Sequence, residues 1–91
     1  MDYTEEQISK VKDLAKLFVP ITDIATVLEV PAHELRRDIA DTSSAVSVAY
    51  RTSKVAAKLI IRDLEMKLAK LGSPTALENA DKYLMDMEDD E

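Results

Sequence analysis

The sequence predicts an all-α fold. Apolar residues recur at three- and four-residue steps along nearly the whole chain, and no stretch alternates apolar and polar residues between turn signals as a strand would. The breakers agree: the single Gly and the three Pro stand at the borders of periodic segments. The expected arrangement is an N-terminal three-helix unit with a helix-turn-helix over residues 1–41. A long helix and a short antiparallel closing helix, a helical hairpin, occupy 42–88, and 89–91 form an acidic tail.

Thr4 and Gln7 stand three apart as a capping-box pair, and Ile8, Val11, Leu14, Ala15 and Phe18 follow at helical spacing, with Pro20 as the stop. A short second helix, from Thr22 to about Leu28, turns Ile24, Ala25 and Leu28 inward. Pro31 separates it from a third, Ala32 to Ala40, anchored by Leu35 and Ile39. Glu29 occupies a turn position often filled by glycine, which predicts an ordinary backbone conformation there or a slightly longer helix. The run Asp41-Thr42-Ser43-Ser44 is rich in N-cap formers and starts the long helix. Gly72 ends it as a left-handed residue, Ser73 caps the last helix, and Pro74 takes its first position. That closing helix carries Leu77, Ala80, Tyr83, Leu84 and Met87 over about 14 residues before the acidic run Glu88–Glu91.

Composition removes most chemistry. The chain has no Cys, one Gly and a single imidazole, His33. Disulfides, thiolate nucleophiles, thiolate zinc, multi-histidine metal sites and glycine-rich phosphate loops are therefore outside its means. The acidic run near the end lacks the glycine turn and oxygen spacing of a calcium loop. The expectation is a non-enzymatic protein with no cofactor and no metal. No apolar run approaches the roughly 20 residues of a membrane span, and Met1–Glu6 lack the basic and apolar regions of a signal peptide. The default is a soluble, cytoplasmic protein.

The net charge of −6 is unevenly placed: residues 1–41 carry −4, residues 42–71 carry +4 and residues 72–91 carry −6. In the helix-turn-helix reading, Val30 plugs the turn, and Leu35 and Ile39 pin the third helix so that His33, Glu34, Arg36 and Arg37 project outward. His33, Arg36 and Arg37 are the candidate DNA contacts, since the planar arginine fork engages guanine edges or phosphate oxygens with two parallel bonds. The alternative is a plain three-helix packing unit, with acidic Asp23, Glu34, Asp38 and Asp41 diluting the positive field.

The long helix, Ser44 to Leu71, spans roughly 42 Å. Val46, Tyr50, Ser53, Ala57, Ile60, Leu64, Leu68 and Leu71 form a coiled-coil-like seam, whose C-terminal half the closing helix is expected to cover with Leu77, Ala80, Leu84 and Met87. A second stripe, Val48, Val55, Leu59 and Met66, leaves a face for another copy of the chain, or for the N-terminal helices folding down. Between them run Arg51, Lys54, Lys58 and Arg62, which could follow phosphates, pair with the acidic tail of a neighbouring chain, or remain a solvated face. Met85, Met87 and the closing acids read either as an interaction tail or as a solvated terminus.

Three segments together resemble the small terminase subunits of tailed phages and prophages. They are Ile24-Ala25-Thr26-Val27-Leu28 with Leu35-Arg36-Arg37-Asp38-Ile39; Tyr50-Arg51-Thr52-Ser53-Lys54; and Leu71-Gly72-Ser73-Pro74-Thr75-Ala76 with Tyr83-Leu84. The resemblance implies a helix-turn-helix that recognises the packaging site on double-stranded DNA, central helices that assemble a homo-oligomer, and a C-terminal tail that engages a large packaging ATPase subunit. It places the protein in the cytoplasm of a bacterial host. The alternatives are a small helix-turn-helix transcription regulator and an oligomeric assembly protein with no DNA contact.

Overall fold

Why each helix stops where it does decides the architecture, and a computed structural model describes all residues 1–91. Five helices and no strand make up the chain: α1 Glu5–Lys16, α2 Ile21–Leu28, α3 Ala32–Ala40, α4 Ala45–Lys70 and α5 Pro74–Asp90. The protein is all-α, as the periodicity predicts. No helix is long and apolar enough to cross a membrane. The chain divides into two compact units, Met1–Ala57 and Lys58–Glu91, with the border inside α4.

At the start of α1 the capping box is complete: the Gln7 amide donates to Thr4 Oγ1 at 3.1 Å and the Thr4 amide donates to Gln7 Oε1 at 2.9 Å. The stop is not Pro20. Phe18 adopts φ 57°, its amide donates to the Ala15 carbonyl, and the Val19 amide donates to the Leu14 carbonyl, so the helix closes as a Schellman turn. Phe18, expected on the inward stripe, is instead exposed, and Val19 takes its place against the core. Pro20 becomes the N-cap of α2.

Glu29 corrects a second expectation. It is neither ordinary backbone nor an added helical residue but left-handed, φ 60° and ψ 40°. Its amide donates to the Thr26 carbonyl, and the Val30 amide donates to the Ala25 carbonyl at 3.0 Å. This is the same turn as at Phe18. In both, the residue after the left-handed one is a valine packed on the core, Val19 or Val30, which compensates for the unfavourable backbone. Gly72, φ 91°, forms the third such turn, with the Gly72 amide on Ala69 and the Ser73 amide on Leu68.

Val11, Ile24, Ala25, Leu28, Leu35, Ile39 and Val46 form the core of the first unit, with Tyr3, Ile8, Leu14, Ile21 and Tyr50 packed around it. At about 1.5–3 kcal/mol for each fully buried large aliphatic side chain, Ile24 and Leu35 contribute most per residue. The α3–α4 corner is polar but satisfied. Ser44 Oγ accepts from the Ser47 amide as the cap of α4 and donates to the Asp38 carbonyl. Ser47, fully buried, donates to the Ile39 carbonyl at 2.6 Å.

In the second unit α5 runs antiparallel to the end of α4, but not through the predicted faces. Arg62 faces Tyr83, and Glu65 faces Asn79. The Arg62 guanidinium lies 4.5 Å from the Tyr83 ring centre and 3.7 Å from Asp86, and Asn79 Nδ2 donates to Glu65 at 3.2 Å. Only Ala69 and Ala76 are buried. Ile60, Leu64, Leu68 and Leu71 of the expected seam, and Leu77, Leu84 and Met87 expected to cover it, are exposed. Polar and aromatic side chains that can pair specifically have taken the contact, leaving the aliphatic stripes to either side. The closing helix also runs 17 residues and includes Glu88–Asp90, because nothing after Pro74 breaks it.

Candidate nucleic-acid interface

α3 has two sides. Leu35 and Ile39 are buried, whereas His33, Arg36, Arg37 and Ala40, at the i, i+3, i+4, i+7 spacing of one helical face, are exposed. All three candidate DNA contacts therefore share a single outward surface. Neither α2 nor α3 has a side-chain cap, since prolines stand at both N-caps; in α2 the Asp23 amide donates to the Pro20 carbonyl, and the remaining first-turn amides of the two helices have no side-chain acceptor.

Arg36 Nη2 donates to Thr22 Oγ1 at 2.6 Å, which fixes the guanidinium beside the first turn of α2 and leaves its other donors without a protein partner. Arg37 lies 3.7 Å from Asp38 but is two-thirds exposed. Asp38 is held below the usual carboxylate range, first by the Tyr3 hydroxyl, which donates to it at 2.7 Å, and then by the positive charges of the N-terminal ammonium and Arg37. Burial and the same bond push the Tyr3 hydroxyl upward. Asp38 thus stays ionised, with much of its charge directed to Tyr3. Asp41 is likewise lowered, by the hydroxyl and amide of Ser43.

The basic residues of α4 differ in their partners. In the first unit, Arg51 braces the start of the helix: Nε donates to Ser47 Oγ at 3.0 Å and Nη2 to the Thr42 carbonyl at 2.9 Å. Lys54 lies 5.6 Å from the Tyr50 ring centre and is otherwise free. In the second unit, Lys58 has no partner, whereas Arg62 is held by Tyr83 and Asp86 of its own chain. Val48 and Val55 in the first unit, and Leu59 and Met66 in the second, are 42–59 % exposed.

Sequence reasoning missed Tyr3 and Thr22. Tyr3 reaches Asp38 across 35 positions, and no local pattern announces it. The Asp41-Thr42-Ser43 turn is local and was legible. No three His, Asp or Glu side chains come together in a group that could hold a metal ion. The fold and this surface define an all-α protein with a two-sided, arginine-bearing helix; in comparisons with known proteins, the chain matches no family model, no curated protein and no solved structure.

Proposed function

We propose that this chain is a non-enzymatic, DNA-recognising adaptor that resembles a phage small terminase subunit and oligomerises through its long helix. One observation carries the reading. α3 is pinned by Leu35 and Ile39 and turns His33, Arg36 and Arg37 outward together, with Arg36 pre-positioned by Thr22. A helix so placed can enter a major groove, with Arg36 and Arg37 on base edges or phosphates and the uncapped amides on the backbone. Among the basic residues of α4, Lys54 in the first unit and Lys58 in the second are without an ion-pair partner and supply further phosphate contact. In this reading Val48, Val55, Leu59 and Met66 meet another copy, and the α5 end meets a large packaging ATPase subunit.

Fluorescence anisotropy with duplex DNA tests it. Binding is expected to fall steeply with salt, and Arg36→Ala with Arg37→Ala is expected to reduce the log–log salt slope by about 2. No binding by the assembled protein at low salt overturns the DNA reading. The exposed aliphatic stripes of the second unit support a second reading, an assembly protein whose α2 and α3 bind protein. A twofold dimer on a paired site would instead indicate a transcription regulator, and a ring of many copies would favour packaging.

A further inference from the structure

α1 and the first half of α4 leave an apolar groove of about 620 Å³ between them. Its floor is built from small or short residues of α4, among them Ala45, Ala49, Ser53 and Ala56, with Val48 half-exposed, and its α1 wall is Ile8. Lys12 and Lys16 stand on the α1 rim, and neither makes an ion pair; no carboxylate lines the groove. From Ala45 to Ala56 it runs about 16 Å. Small residues on the floor let a helix approach closely, and a positive rim selects a helix with acids beside its apolar stripe.

We propose that this groove receives α5 of a second copy of the chain, an inference that rests on the self-association proposed above. Leu77, Leu84 and Met87 form an exposed stripe about 15 Å long on α5, matching the groove in length. Asp81 and Glu88 flank that stripe on the side away from Arg62, and no basic residue follows Lys82. Two other exposed stripes could compete: Val55, Leu59 and Met66 of α4, bordered by Lys54, Lys58 and Lys67, and Ile60, Leu64, Leu68 and Leu71, bordered by Lys67 and Lys70 with Asp63 already paired to Lys67; neither offers Lys12 and Lys16 a free acid. The contact joins two different surfaces, so each copy has one groove and one α5 left to offer. Such a head-to-tail interface closes into a ring or continues as a filament.

Two charge-reversed variants test the pairing by sedimentation velocity, with circular dichroism as the check that both remain helical. Lys12→Glu with Lys16→Glu makes the groove rim negative like the acids beside the α5 stripe; Asp81→Lys with Glu88→Lys places lysines beside that stripe, facing the lysines of the rim. Each alone is expected to assemble roughly 100-fold more weakly than the unaltered chain, and an equimolar mixture to regain assembly. Because the chain has no cysteine, Val48→Cys on one protein and Met87→Cys on another report the contact directly, through a disulfide-linked heterodimer. Assembly that ignores both reversals, or a disulfide formed within one chain carrying both cysteines but not between chains, overturns the proposal while leaving self-association standing. An unaltered chain that stays monomeric at high micromolar concentration overturns both.

Discussion

Glu29→Gly is expected to stabilise the protein, against the usual outcome for a new glycine. At φ 60° and ψ 40° the glutamate Cβ crowds its own backbone, at a cost of about 1–2 kcal/mol that glycine does not incur. Against this, glycine gives the unfolded chain more freedom, worth about 0.4–1 kcal/mol. The residue is exposed, so little packing is lost, and it is acidic at the negative end of the α2 dipole, so its removal adds about 0.3 kcal/mol. The sum is roughly 1 kcal/mol, or about 4–8 °C in Tm for a chain of this size. Thermal unfolding followed at 222 nm and urea titration both measure it, and Glu29→Gln isolates the charge. Glu29→Val, β-branched at the same angle, should move Tm the other way. If Glu29→Gly lowers Tm, Val30 is not holding a strained turn and the account of how α2 ends is wrong.

Gly72→Ala runs the same argument in reverse. No atom lies within 4 Å of the position a Cβ would take, so the loss is backbone strain alone, about 1 kcal/mol, read as a lower urea midpoint with an unchanged slope. Ser47→Ala leaves the buried Ile39 carbonyl without its donor and removes one Arg51 contact, and should cost about 1–3 kcal/mol in equilibrium unfolding. Asp38 and Asp41 are more acidic folded than unfolded, so their stabilisation is present above about pH 4 and is lost as pH falls through their folded values. Tm measured across pH 2–5 should fall on acidification, and less steeply in Tyr3→Phe, which removes the bond chiefly responsible for Asp38.

Local chemistry was legible wherever a residue type has one conformational meaning. Thr4 with Gln7, Ser44, Ser73 and Pro74, and Gly72 fixed helix ends, and the spacing of Ile24, Leu28, Leu35 and Ile39 fixed which sides of α2 and α3 are buried. From that burial follows the outward placement of His33, Arg36 and Arg37. The sequence by itself thus determined the all-α class and the inward sides of α2 and α3. Only the tertiary structure decided where α1 stops and which backbone conformation follows α2, whose end near Leu28 was legible in the sequence. Phe18 and Glu29 carry no signal for a left-handed turn and adopt one because Val19 and Val30 gain more by burial than the backbone loses. It decided the hairpin contact as well: with several apolar stripes of similar length available, the choice fell to Arg62, whose guanidinium can meet Tyr83 and Asp86 at once, a pairing set by three-dimensional register and not by periodicity.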